Sequence, residues 1–155
     1  GSEMCIRDRI LADRPGVRFL SLFQWPLFPH RRMEPTPSNA VLSPLPAGAG
    51  GEEIRNVVEN VWLPEIDKFQ PDLMILSAGF DAHCEERIAQ LKAGEMDYAC
   101  VTRLLVEASF AYCEGRLVSV LEGGYELRSL ARSVFTHLQG LIRNPLPAET
   151  CKDPN

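Results

Sequence analysis

An acidic side chain and an aromatic hydroxyl each follow an apolar stretch that ends in glycine. Asp81 closes the stretch PDLMILSAGFDAH, residues 71–83, and Tyr125 closes RLVSVLEGGY, residues 116–125. A carboxylate can bind a metal ion, and a phenol can donate a hydrogen bond to a developing negative charge. His83 adds an imidazole that can orient a metal ligand, and a surface turn histidine explains it equally well.

The elements before these residues are predicted to be strands of a parallel sheet. Four consecutive apolar residues, 73–76, predict a strand covered on both sides. Gly79 permits a sharp turn after it, and ligands bind at the carboxyl ends of strands in open α/β sheets. Two strand ends therefore offer an acid and a phenol. The spacing alone is equally consistent with purely structural roles, in which Asp81 caps a turn and Tyr125 packs as an aromatic side chain.

The first half of the chain is predicted to contain a strand, a loop and a helix. The strand covers residues 17–22, and a long irregular loop rich in proline covers residues 23–51. Apolar spacing predicts a helix over residues 52–69. Pro64 interrupts this pattern and predicts a kink or a break near Trp62.

The second half alternates the strands described above with helices. Residues 84–94 are predicted to be a charged loop or a short helix, and residues 96–113 an amphipathic helix that Gly115 closes. A last helix is predicted from the apolar spacing between Leu127 and Leu141. This alternation favours right-handed βαβ units and a parallel sheet between helical layers, which is the α/β class.

Composition excludes several classes of function. The chain has 155 residues and a formal net charge of −5, so it lacks the basic surface that direct nucleic-acid binding requires. No apolar run is long enough for a membrane helix, and no signal peptide is recognisable, so we expect a cytoplasmic protein, or a nuclear one if the source is a eukaryote. The five cysteines show no C-x-x-C spacing and predict neither a disulfide framework nor a thiolate zinc site.

Four motifs together resemble the zinc-dependent histone deacetylase family. SAGFDAH at 77–83 and LEGGYELRSLARSV at 121–134 resemble its closing motifs, and VRFLSLFQWPLFP at 17–29 and LPAGAGGEE at 45–53 match its upstream segments in the same order. The residues of the GFDAH and EGGY motifs are most similar to those of class II-like and bacterial members, which include acetylpolyamine amidohydrolases.

The resemblance implies an incomplete three-layer α/β/α fold with a mainly parallel sheet, like that of arginases and deacetylases. Residues 10–143 would be the C-terminal half of the catalytic domain. Residues 1–9 match nothing expected there and are interpreted as a non-native leader, and residues 144–155 as a loose tail.

The resemblance also implies an activity and a set of site residues. The reaction would be hydrolysis of an N-acetyl amide, with acetyl-lysine in a protein or an acetylpolyamine as the substrate. Asp81 would be a zinc ligand, His83 would orient it, and Tyr125 would stabilise the oxyanion. Two further groups of residues are implied: Phe28, Gly123 and Gly124 at the substrate channel, and the main-chain carbonyls of Ser21 and Leu22 at a potassium site.

The sequence departs from the family pattern at several positions. The D-x-H-H-G-type motif with the other two zinc ligands has no match, nor does the histidine pair that serves as general base. We therefore expect this chain alone to be inactive. His30 and His137 are predicted to be solvated. The segment HRRM at 30–33 replaces a Pro-Gly-Thr-Gly-like turn, and CEER at 84–87 replaces Arg-x-Asp-Pro, so both loops should differ in shape.

Two alternatives from other classes stay open. The chain could be a non-catalytic, deacetylase-like protein that binds acetylated ligands or acts as an interaction subunit, and oligomer formation is compatible with either function. A binuclear manganese ureohydrolase would need several clustered aspartates, which Asp81 lacks. A nucleotide site is disfavoured because Glu122, beside the glycine pair, would repel phosphate.

Overall fold

The structure is a computed structural model that describes residues 10–27 and 36–142. The chain divides into two compact units, Gly1–Ala47 and Gly48–Asn155. The predicted leader at residues 1–9, the channel residue Phe28 and the predicted tail lie outside the described residues.

The first unit contains two parallel strands. Strand β1, Phe19–Gln24, pairs with strand β2, Ala40–Leu45, in a register that sets Phe19 opposite Ala40. The Phe19 N–H donates to the Asn39 carbonyl over 2.9 Å and begins the ladder. Strand β1 starts two residues later than predicted.

Strand β2 corrects the prediction of an irregular loop over residues 23–51. The proline content of this segment, including Pro44 within β2, argued against a strand because proline donates no ladder hydrogen bond. Among the described residues, β2 pairs with β1 alone. A strand paired along one side tolerates a proline whose nitrogen faces the unpaired side.

The second unit opens with a helix that changes its winding. Helix α1, Gly51–Val57, leads into a π-helical segment, Val58–Trp62, which is followed by helix α2, Leu63–Phe69. The Leu63 N–H donates to the Val58 carbonyl, five residues back. Because Pro64 has no N–H to donate, the wider π turn accommodates it, and the predicted irregularity near Trp62 is confirmed.

The remaining elements form the predicted βαβ unit. Strands β3, Met74–Ala78, and β4, Leu117–Leu121, are parallel neighbours, and helix α3, Glu95–Cys113, connects them. Helix α4, Leu127–Ile142, follows β4 and packs on α3. The Gly115 helix stop is confirmed, with φ +76 there. The segment before α3 is irregular rather than helical.

The prediction that the β3 strand is covered on both faces is wrong for the described residues. Helices α3 and α4 pack against the face that carries Ser119. On the opposite face, Ile75 is 68% exposed, Val118 50% and Val120 49%. Because side chains alternate along a strand, these residues form one open apolar surface.

Helix α4 buries residues other than those whose apolar spacing predicted it. Leu127 and Leu138, which belong to that spacing, are exposed. The buried residues are small or polar: Ser129, Ser133, His137 and Gly140.

Two smaller features complete the fold. Cys84 and Cys113 are free thiols, whereas Cys100 in α3 is disulfide-bonded, which the cysteine pattern did not predict. Within residues 10–27 and 36–142, no helix has the length and apolar character needed to cross a membrane.

Candidate functional site

The turns that follow β3 and β4 are joined by backbone hydrogen bonds. The Glu122 N–H donates to the Ala78 carbonyl over 3.0 Å, and the Phe80 N–H donates to the Gly123 carbonyl over 2.9 Å. Because the strands are parallel neighbours, their carboxyl ends lie at the same edge of the sheet. The predicted strand-end positions of the acid and the phenol are therefore adjacent.

The Asp81 carboxylate packs directly against the glycine turn. A Cβ atom on Gly123 would lie 2.7 Å from Asp81 Oδ2, and one on Gly79 would lie 3.2 Å from Oδ1. Gly124 has φ +127, and a Cβ there would lie 2.7 Å from Leu130 Cδ1. The glycines thus permit a close approach between the two turns that a side chain would prevent.

The surroundings of Asp81 disfavour its charged form. Burial raises the pKa of the Asp81 carboxyl, and the negative charges of Glu86 and Glu122 raise it further. A hydrogen bond from the backbone N–H of Asp81 lowers the pKa but does not outweigh these effects. A bound cation would reverse this balance, because an opposite charge favours the carboxylate. Burial, with a contribution from the Asp81 charge, also raises the pKa of the Tyr98 hydroxyl.

The backbone at Tyr125 is held by a carboxylate from the preceding turn. The Tyr125 side chain is 61% exposed. The Tyr125 N–H donates to Glu86 Oε2 over 2.8 Å, and the Glu126 N–H donates to the same oxygen over 3.2 Å. Burial opposes ionisation of Glu86, but the hydrogen bonds from the backbone N–H groups of Tyr125, Glu126, Arg87 and Ile88 outweigh it. The pKa of Glu86 therefore lies below its ordinary value.

His83 is buried, with 2% of its surface exposed, so the interpretation as a surface turn histidine is wrong. Its Nδ1 accepts the Glu85 N–H over 3.1 Å, which in the neutral ring leaves the proton on Nε2. Nε2 lies 3.4 Å from Glu95 Oε1 but is not aligned for a hydrogen bond. The ring stacks on Tyr98. Both nitrogens are therefore directed at groups other than Asp81.

Arg132 ties the segment after Asp81 to helix α4. Its guanidinium donates to Glu85 Oε1 and to Glu95 Oε1. The Arg132 hydrogen bond is the largest cause of the lowered pKa of Glu95. One side chain of α4 thus holds both the loop and the first turn of α3.

His137 is buried beneath the site, contrary to the prediction that it is solvated. Thr102 Oγ1 donates to the Tyr98 carbonyl over 2.6 Å, so it accepts from His137 Nδ1 at 2.7 Å. In the neutral ring, His137 Nε2 then accepts from Ser119 Oγ at 2.8 Å. Burial lowers the pKa of His137, in agreement with this arrangement.

The other predicted site residues belong to the first unit. Ser21 and Leu22 lie inside β1 rather than at a strand end. Within residues 10–27 and 36–142, no three His, Cys, Asp or Glu side chains are clustered closely enough to hold a metal ion. A catalytic zinc site commonly has three protein ligands, so the described residues, Asp81 included, supply no complete ligand set.

Sequence reasoning missed several residues that shape the site. Glu86, Glu95, Tyr98 and Arg132 were treated only as parts of a charged loop or amphipathic helices. The separation of Glu86 and Tyr125 by 39 residues hides their contact from any local pattern. In the sequence, the acidic side chains of the CEER segment, residues 84–87, were the one signal that could have indicated these contacts.

Parallel strands and connecting helices define an α/β protein, and the Asp81 carboxylate follows one of its strands at the carboxyl edge of the sheet. The family model for the histone deacetylase domain matches residues 7–141. The chain belongs to the histone deacetylase family.

Individual relatives agree with this assignment. "Histone deacetylase 10, chloroplastic" of Oryza sativa subsp. japonica is 32% identical over 92% of the chain and 33% of that protein. "Polyamine deacetylase HDAC10" of Mus musculus is 37% identical over 64% of the chain and 14% of that protein. The solved structure of the histone deacetylase Clr3 has a TM-score of 0.77 and 27% identity, over 86% of this chain and 24% of that one. The chain therefore spans a third or less of these relatives.

Proposed function

We propose that residues 10–143 are the C-terminal half of a zinc-dependent deacetylase domain that hydrolyses N-acetyl amides. The observation that carries this proposal is the packing of the Asp81 carboxylate against Gly123, two residues before Tyr125. This packing puts a candidate metal ligand and a candidate oxyanion donor on adjoining turns. Family membership supports amide hydrolysis as the reaction.

Asp81 and Tyr125 have separate tasks in the proposed reaction. Asp81 contributes one carboxylate to a zinc site, whose other ligands come from residues other than those described. Zinc in such a site would polarise the amide carbonyl and activate water. The Tyr125 hydroxyl donates a hydrogen bond to the oxygen that becomes negative in the tetrahedral intermediate, and its exposed position leaves it free to reach a substrate.

The supporting residues act at a distance from the reacting atoms. His83 fixes the turn that carries Asp81 through Glu85 and Tyr98. By the sequence resemblance, Gly123, Gly124 and Phe28 would be residues of the substrate channel. Ser21 and Leu22 would supply main-chain carbonyl oxygens to a potassium ion. The sequence resemblance is the support for the roles of Phe28, Ser21 and Leu22.

Acetyl-lysine in a protein and an acetylpolyamine are both candidate substrates. The names of the rice and mouse relatives cover the two classes. The net charge of −5 is compatible with either cationic substrate. We propose a cytoplasmic location, or a nuclear one in a eukaryote.

The test is acetate release by the full-length protein that contains this chain. The zinc-loaded protein is incubated with an acetyl-lysine peptide and, separately, with an N-acetylated polyamine. We expect acetate from at least one substrate, loss of turnover with a chelator, and recovery on adding zinc. Zinc-loaded protein that releases acetate from neither substrate would overturn the proposal.

The non-catalytic alternative gives a different result in the same preparation. A binding protein would take up the acetyl-lysine peptide, measured by calorimetry, without releasing acetate. Family membership supports the enzyme over this alternative, as does the position of Tyr125 on the turn that adjoins Asp81.

A further inference from the structure

We propose that Glu86 is a positioning residue that sets the place of Tyr125, an inference that rests on the proposed function. Glu86 lies five residues after Asp81, and its carboxylate contacts the backbone at Tyr125. It therefore connects the candidate metal ligand with the candidate oxyanion donor.

The contacts of Glu86 use both carboxylate oxygens. Oε2 accepts the N–H groups of Tyr125 at 2.8 Å and Glu126 at 3.2 Å, and Oε1 accepts the Arg87 N–H at 3.0 Å. Hydrogen bonds to an ionised acceptor are about twice as strong as neutral ones. One side chain thus fixes its own loop and the segment that enters α4.

The geometry around Tyr125 makes this anchor consequential. Gly123 and Gly124 precede Tyr125, and its side chain is 61% exposed. Local packing therefore restrains the phenol weakly, and the backbone must define its direction. A displacement of about 1 Å at a reacting group can cost about 100-fold in rate.

The loop that carries Glu86 is itself fixed. Arg132 of α4 donates to Glu85, and the Glu85 N–H donates to His83 Nδ1. Glu86 is consequently presented by a segment tied to α4 and to the turn of Asp81. A carboxylate on a restrained loop can hold a neighbouring segment in place. A carboxylate on a freely moving loop would move together with that segment.

The test compares Glu86→Ala, Glu86→Gln and a control in the zinc-loaded, full-length protein. We expect Glu86→Ala to lower kcat about tenfold or more, with zinc content unchanged and KM within about twofold. Glu86→Gln keeps one oxygen acceptor and should recover most of the lost kcat. Glu114→Gln removes an exposed carboxylate that pairs with Arg116 away from the site, and it should leave kcat within about twofold.

A double variant decides whether Glu86 acts through Tyr125. In a Tyr125→Phe background, Glu86→Ala should lower kcat little further, because the hydroxyl that Glu86 positions is already gone. Full additivity of the two effects would overturn the proposal. So would equal losses in Glu86→Ala and Glu114→Gln.

Hydrogen–deuterium exchange gives a readout that does not need turnover. The peptide spanning residues 122–128 should exchange faster in Glu86→Ala than in the unsubstituted protein, and Glu114→Gln should leave it unchanged. Unchanged exchange in Glu86→Ala would overturn the proposal even in an active enzyme. Faster exchange in a protein without deacetylase activity would support the anchor while the proposed function fails.

Discussion

The carboxylate of Asp81 lies so close to Gly123 that a single added carbon would collide with it. A Cβ atom at position 123 would lie 2.7 Å from Oδ2 and 2.8 Å from Cγ of Asp81. The glycine is therefore a geometric requirement of the site. The absence of a side chain at this position lets two strand-end turns meet.

Gly123→Ala is the direct test of this requirement. We expect a loss of about 1–3 kcal/mol in the free energy of unfolding, because the carboxylate or the backbone must shift. Zinc affinity should fall with it. Gly50→Ala is the control, since its Cβ would meet nothing closer than 3.6 Å, and it should cost about 1 kcal/mol or less. Equal effects of both changes on zinc affinity would contradict the role of Gly123.

Asp81→Ala should abolish zinc binding in the full-length protein. Removing one of three protein ligands leaves a catalytic zinc site without its normal coordination. Metal content after dialysis, measured by mass spectrometry, is the readout. Glu114→Ala removes an exposed carboxylate that pairs with Arg116, and it should leave the zinc content unchanged. Full zinc occupancy or normal turnover in Asp81→Ala would exclude Asp81 as a ligand.

Tyr125→Phe should spare zinc and lower kcat. Loss of one oxyanion donor costs about 3 kcal/mol, which is about 100-fold in rate. Tyr112→Phe deletes a hydroxyl of α3 that interacts with Asp67 of α2, and its kcat should match that of the unsubstituted enzyme. Steady-state kinetics with the better substrate measures both variants. Unchanged turnover in Tyr125→Phe would remove the residue from the mechanism.

Patterns that repeat locally made much of the fold predictable. Apolar runs and helical spacing located β3, β4 and the helices, and the glycine turns located Asp81 and Tyr125 at strand ends. Strand β2 was missed because Pro44 weighs against a strand unless the pairing partner is known. The sequence does not report which edge of a strand stays unpaired.

Contacts between distant residues account for the errors at the site. His137 was expected in solvent, but Thr102 and Ser119 supply both of its ring nitrogens with partners. Those partners lie 35 and 18 residues away along the chain. A buried polar side chain can be predicted only when its hydrogen-bonding groups are known, and tertiary packing determines them.

The open apolar face of β3 and β4 predicts that the 155-residue chain alone is poorly stable. Exposed Ile75, Val118 and Val120 lose the stabilisation that burial would give, and β3 and β4 each pair with a single strand among the described residues. Thermal denaturation followed by circular dichroism should give a broad transition, and a hydrophobic dye should bind. A sharp, cooperative transition of the monomeric chain without dye binding would contradict this prediction.

The neutral His137 ring predicts a loss of stability on acidification. Its folded-state pKa lies below the ordinary value of 6.5, so the unfolded state binds more protons as the pH falls below 6.5. The free energy of unfolding should therefore decrease from about pH 7 downward until the folded-state pKa is reached, by at most about 1.4 kcal/mol per pH unit for this one group. Urea unfolding of the full-length protein between pH 5 and 7.5 is compared with that of His137→Gln, which cannot titrate. The variant should be less stable at pH 7.5 and show a shallower dependence on pH, and parallel curves for the two proteins would show that His137 is not the titrating group.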